Sequence, residues 1–205
     1  MNEFKSFHRK RQPDLIVLHE SVTDSRETTI AVLKKRGLGV HYTVDRDGSV
    51  INHVPLDRYS YHAGSGRNTN SIAIEVINRY YGAYAKPGNT VISAVWAHKG
   101  RYIMPTQIQL ESVWQLVLEL GTQFNCLHFP GNDGAFHWGQ IPRVYTGVSA
   151  HHRWAHADGL VPECYCRIRA IGCDPVYAYA YTLDTAQSAS RDTLLPVSIR
   201  HGFSI

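Results

Sequence analysis

The chain alternates between short apolar blocks and polar, periodic stretches. Asp14 to His19 (DLIVLH) is an apolar run closed by a polar residue, the pattern of a strand buried on both faces. From Ser25 the spacing becomes helical: Ile30, Val32 and Leu33 lead to Lys34-Lys35-Arg36, a basic end that suits the helix macrodipole, with Gly37 as its cap. His41–Val44 and Ser49–Val54 read as two short strands joined through Asp45-Arg46-Asp47-Gly48, whose Asp-Gly is a hairpin signal. Ser71–Ile77 (SIAIEVI) is a further buried strand carrying one acid, Glu75.

Residues 79–104 are rich in Tyr, Gly, Ala and Lys, have no clear period, and read as an insertion or an extended loop. From Pro105 to Leu120, Ile108, Val113, Leu116, Val117 and Leu120 fall near one helical face, framed by Pro105 and Gly121. Residues 125–142 read as a loop, Val144–Ala150 as a strand, and Glu163–Ile171 and Val176–Ala186 as helices after a loop with three histidines. Residues 1–13 read as a loose basic leader and 188–205 as a weakly ordered tail, which leaves 14–187 as one domain. The order of elements predicts an α/β domain with a central mixed β-sheet flanked by helices.

Length and composition agree. The 205 residues fit one domain, and 43% hydrophobic with 19% charged residues excludes bulk disorder. No apolar run approaches the ~18 residues of a membrane-spanning helix. No apolar segment follows the basic N-terminal residues, so no signal peptide is expected and a cytoplasm is the expected site of folding. The net charge of +4 falls well short of a dedicated nucleic-acid binder. Twelve histidines say more, because imidazole is the commonest metal ligand. Cys126, Cys164, Cys166 and Cys173 read as reduced thiols or metal ligands rather than disulfides.

His19 closes a buried strand at its carboxyl end, where α/β proteins place their sites; the bland alternative is a histidine that only caps the strand. His151, His152 and His156 share one loop, with Cys164 beyond it. Two imidazoles and a thiolate with one open position make a catalytic zinc arrangement, the open position holding water; the alternative is a histidine-rich surface loop. Glu75 either turns onto a solvated face or acts as a general base beside a metal. His62 in Tyr61-His62-Ala63-Gly64 and Asn70 before the Glu75 strand complete the set.

Their succession resembles the zinc-dependent N-acetylmuramoyl-L-alanine amidases, the family shared with phage lysozyme-type amidases and peptidoglycan-recognition proteins. The matching pieces are Leu15–His19, the hairpin Gly39–Val50, His62-Ala63-Gly64, Asn70–Val76, and Pro105-Thr106-Gln107 opening a helix. The match is good over residues 14–78 and looser over 105–165. The resemblance implies the amidase/peptidoglycan-recognition fold, with Zn2+ held in a groove by His19 and His152, and with Glu75 as catalytic acid. It implies a third ligand eight to ten residues after the second histidine. From His152 that count lands on Leu160 to Pro162, none of which binds zinc; Cys164 is the expected ligand if the loop is two to four residues longer, or if His156 takes the place of His152. Asp158, Glu163, or a register shifted onto His151 or His156 are the alternatives. His62, Asn70 and Arg153 are expected to meet substrate, with His62 or Arg153 as oxyanion donor. The implied activity is cleavage of the N-acetylmuramic acid–L-alanine amide by a monomeric phage endolysin. It would wait in the host cytoplasm and need only peptidoglycan as partner, with no nucleic acid or membrane. A non-catalytic peptidoglycan-binding module and a cytosolic muropeptide-recycling enzyme are the competing readings.

Overall fold

The structure, a computed structural model, describes residues 4–130, 146–151 and 158–189. A five-stranded mixed sheet lies at its centre. It contains β2 (Leu15–Glu20), β3 (Tyr42–Val44), β4 (Val50–Asn52), β6 (Ser71–Val76) and β9 (Gly147–Ala150) in the order β4-β3-β6-β2-β9. All neighbours run parallel except β4, which pairs antiparallel with β3. That one antiparallel pair is the hairpin expected from Asp-Gly. Gly48 takes φ +86°, and a Cβ there would lie 2.8 Å from Ser112 Oγ, so the turn is closed both by conformation and by the neighbouring helix.

Alternation sorts the side chains onto two faces. Ile16 and Leu18 of β2, Ile72, Ile74 and Val76 of β6, and Val148 and Ala150 of β9 join one large apolar core. That core packs against α2 (Gln107–Gln123), α3 (Leu160–Ala170) and α4 (Pro175–Ser188). The opposite face is covered more thinly. Leu15 and Val17 meet Ala63, and Ala73 meets Phe4, Val40 and Val54 with Ile30 and Leu33 of α1 (Arg26–Lys35). Ser25 caps α1, its side chain accepting from Thr28 N–H at 3.2 Å.

Three expectations change. On α2 the buried stripe is Leu110, Val113, Trp114, Val117 and Leu120, whereas Ile108 is 58% exposed. Ile108 lies two residues before Leu110, roughly 200° around the helix, so it cannot share that face. Residues 4–13 are not a loose leader. β1 (Phe7–His8) pairs with β5 (Arg58–Tyr59), and Phe4 is buried against Gly39. The Arg9 guanidinium donates to the carbonyls of Leu56, Thr69 and Ser71, giving this strap polar anchors that hydrophobic periodicity does not reveal. Residues 79–104 are packed structure. They form the hairpin β7 (Val91–Ser93) and β8 (Arg101–Ile103), bury Trp96, Tyr102 and Met104 in the main core, and tie Trp96 Nε1 to Ala186 O at 2.7 Å. Among the described residues no helix is long and apolar enough to cross a membrane. The expected tail lies outside the described residues from 190 onward, as does 131–142 of the expected loop.

Candidate metal centre

The sheet register assembles the site. His19 at the end of β2 is the direct partner of Glu75 at the end of β6, so both side chains leave the same face at the carboxyl ends of parallel strands. β9 ends at Ala150, which pairs with Leu18 and points into the helical core. The next residue, His151, therefore turns to the face of His19. Asp158 comes just before Gly159, the N-cap of α3. Its carboxylate meets both imidazoles: Oδ2 lies 3.4 Å from His19 Nδ1 and Oδ1 lies 3.1 Å from His151 Nδ1. One candidate ligand atom from each of these three residues lies within 4.8 Å of the other two.

A chain of hydrogen bonds sets which nitrogen His19 offers. The Ser71 hydroxyl has one proton, and it goes to Arg67 O at 2.7 Å. Ser71 Oγ must then accept from His62 Nε2, 2.9 Å away. His62 Nδ1 is left as an acceptor, and the partner 3.1 Å from it is His19 Nε2. His19 Nδ1 thus keeps its lone pair and aims it toward Asp158. A lone pair and a carboxylate converging on one point repel unless a cation lies between them, which is the electronic arrangement of a metal ligand set with an outer partner fixing the tautomer. Two imidazoles and a carboxylate suit zinc. Burial, then the neighbouring His19, His41 and His151, hold His62 well below the usual histidine range, so it stays neutral.

The surrounding carboxyl groups differ in state. Glu75 is 6% exposed, and burial, followed by the charges of Asp158 and Glu20, pushes it well above the usual carboxylate range. Burial works against ionisation of Asp158 too, but the adjacent His151 and His19 outweigh it and hold that carboxyl well below its usual value. Burial raises Glu20 to about 7, against hydrogen bonds from Tyr102 and Asn78. A high-affinity proton acceptor beside an ionised ligand carboxylate is the division of labour expected of a general base next to a metal. These groups floor a groove of about 970 Å³, lined also by Val32 and Leu33 of α1, by Arg36 that caps it, and by Tyr61 and Arg67.

His19, Glu75 and His62 therefore come together. Both ring nitrogens of His62 are taken, by His19 and Ser71, so it supports the His19 ring while lining the groove. Asn70 sits at the other end of β6, where its Nδ2 donates to Asp14 Oδ1 at 2.6 Å. Five strand positions separate it from Glu75, roughly 16 Å, which places it outside the groove floor. Cys164 is likewise away from His19. It lies inside α3 within the apolar core, near Thr182, and burial pushes its thiol up to about 12. Because α3 begins at Leu160, ahead of Pro162, Cys164 is carried into the helix interior, and the carboxylate that reaches His19 is Asp158. Glu163 reaches backbone rather than the imidazoles, accepting from Ala150 N–H at 2.7 Å. His152, Arg153 and His156 lie outside the described residues. His151 and Asp158 appear in the sequence only as alternatives, and Glu20 draws no attention there. The signal for His151 is the alternation of Val148 and Ala150 into the core, which turns the next position outward.

The sequence profile of the N-acetylmuramoyl-L-alanine amidase family, Amidase_2, matches residues 9–159. No curated protein matches the sequence. Among solved structures, the chain is similar to N-acetylmuramoyl-L-alanine amidase LysC from Clostridium intestinale URNW, with 18% identity, 74% of each chain covered and a TM-score of 0.44. It is also similar to the Ph2119 endolysin from Thermus scotoductus MAT2119 bacteriophage Ph2119, with 18% identity, 73% of this chain and 77% of that chain covered, and a TM-score of 0.43. PlyL shares 18% identity over 90% of this chain and 88% of that chain, with a TM-score of 0.45. The profile match spans most of the chain and runs from the N-terminal strap through Asp158: the chain belongs to the N-acetylmuramoyl-L-alanine amidase family and is a peptidoglycan amidase.

Proposed function

We propose that the chain cleaves the amide between the lactyl group of N-acetylmuramic acid and L-alanine with one zinc ion held by His19, His151 and Asp158, and that it works as an endolysin. The observation that carries this reading is the convergence of those three side chains beside buried Glu75. When bound, zinc polarises the scissile carbonyl and lowers the pKa of water toward ~7. Glu75 takes the proton of the attacking water and returns it to the amine of the departing L-alanine. Its burial suits the task, because a carboxyl with raised proton affinity is the stronger base. His62 and Ser71 hold the His19 ring in one tautomer. Asp158 brings one negative charge against two neutral imidazoles, which leaves a divalent ion electrophilic. The groove along α1 receives the glycopeptide with its amide over Glu75.

The endolysin setting adds a monomer that acts on the intact wall after release from the host cytoplasm and requires no nucleic-acid or membrane partner. The test joins metal content to product. Purified protein is expected to hold close to one zinc per chain and to release new L-alanine amines from whole sacculi faster than from soluble muropeptides. A metal-free protein that hydrolyses sacculi at full rate overturns the zinc assignment. A preference for soluble fragments overturns the endolysin setting and favours a recycling enzyme.

A further inference from the structure

Two buried carboxylates grip the backbone on the outer side of each ligand in the second half of the site. Glu163, in the first turn of α3 and 0% exposed, accepts Ala150 N–H through Oε2 at 2.7 Å. Its Oε1 is held by Arg167, 2.8 Å from Nε and 2.7 Å from Nη2. Ala150 is the residue before His151. Glu20, 5% exposed, accepts Gly159 N–H through Oε2 at 3.1 Å. Its Oε1 is held by Asn78 Nδ2 at 3.1 Å and by the Tyr102 hydroxyl. Gly159 is the residue after Asp158. The two grips are joined, because Glu163 N–H donates to Gly159 O at 3.0 Å. Glu163 thus holds residue 150 with its side chain and residue 159 with its backbone.

Burying a carboxylate is costly, and a strand N–H needs only a neutral acceptor. Among the described residues β9 is the edge of the sheet, and no further strand lies on its outer side to supply one to Ala150. Gly159 is pressed so closely onto β2 that a Cβ there would lie 2.0 Å from Leu18 O. The charge-assisted bonds therefore act on backbone that has little freedom left, and both grips end one residue from a ligand. We infer that Glu20 and Glu163 are positioning residues that set the separation of His151 and Asp158 for the metal, acting through the main chain rather than through the ligand side chains. This rests on the zinc reading above.

The test measures zinc affinity by chelator competition, with the Tm of the metal-free protein in parallel. The proteins are native, Glu163→Gln, Glu20→Gln, and Val113→Ala as a control that truncates a fully buried α2 core residue. Glutamine at 163 can accept from Ala150 only by turning its amide N–H groups onto Arg167, so either the Ala150 bond or the two Arg167 contacts are lost. Each Gln variant is expected to bind zinc about tenfold or more weakly, as loss of an outer-sphere partner does. Val113→Ala loses Tm while keeping the native affinity. Arg167→Met, which releases Glu163 Oε1 but touches neither grip, is expected to weaken zinc in the same direction, and it decides the matter if a Gln variant does not fold. Native affinity in the variants that fold overturns the inference, and so does an equal weakening in Val113→Ala. A native protein that binds no zinc overturns the zinc reading and this inference together; native zinc binding with unaffected variants overturns this inference alone.

Discussion

His19 Nε2 lies 3.1 Å from His62 Nδ1, and that contact determines which nitrogen of His19 faces Asp158. The direction of the bond comes from Ser71, whose only proton is given to Arg67 O. His62→Ala removes the acceptor and lets the His19 ring turn. Zinc affinity is expected to fall ~10–100-fold, as for other outer partners of metal-bound histidines. Ser71→Ala acts one bond further out, so its loss should have the same sign and be smaller. Chelator competition reads both, and unchanged affinity in His62→Ala refutes the relay.

Glu75→Gln separates catalysis from stability. Hydrolysis is expected to fall about 10²–10⁴-fold while zinc stays bound. The Glu75 carboxyl sits well above its ordinary 4.5 in the folded protein. The folded state therefore binds that proton more tightly than the unfolded state does. Stability is lost as pH rises from the unfolded value through the folded one. Glutamine has no charge to bury, so the metal-free variant is expected to melt above native protein at neutral pH. The gain should shrink to nothing near about pH 4, where both proteins are neutral at this position. A melting series on chelator-treated protein checks the sign, and a gain that grows toward acid contradicts it.

Asp158→Asn and Cys164→Ser discriminate the two candidate third ligands. Asparagine keeps the shape of Asp158 but removes the charge held by His19 and His151, so zinc and activity are expected to be lost together. Serine at 164 places a hydroxyl in the apolar core near Thr182, so Tm is expected to drop by a few degrees with zinc retained. The same burial predicts that a thiol reagent leaves Cys164 and Cys166 unmodified in the folded protein, since burial raises both thiols. Loss of zinc in Cys164→Ser would restore the thiolate reading.

The elements that carry His19 and Glu75 are legible in the chain because each is a six-residue strand with an unbroken apolar run, and a polar residue at its end stands out. The second half of the site is harder to read. Choosing between His151 and His152 requires the end of a four-residue strand to within one position. Choosing between Asp158 and Cys164 requires the first residue of a helix. Pro162 suggests a later start for α3, yet proline is tolerated anywhere in a first turn, and Gly159 caps the helix earlier. The strap over residues 4–13 escapes notice for a different reason. Its grip comes from a two-residue strand, one buried phenylalanine and the three carbonyl bonds of the Arg9 guanidinium, none of which is periodic.

Gly159 and Gly172 make a matched pair for the last prediction. Both take left-handed backbone, φ +81° and +93°, at the two ends of α3. A Cβ at Gly172 meets nothing within 4 Å, so Gly172→Ala incurs conformational strain alone, about 1–2 kcal/mol. In a chain of this size that is roughly 2–8 °C of Tm. A Cβ at Gly159 falls 2.0 Å from Leu18 O and 3.3 Å from Ala150 Cα, so the start of α3 must lift away from the ends of β2 and β9. Gly159→Ala is therefore expected to lower Tm further and to carry Asp158 away from His19, with zinc affinity falling in step. Gly172→Ala should leave zinc affinity at the native value. If the two alanine variants lose zinc equally, the close approach at Gly159 does not set the position of Asp158.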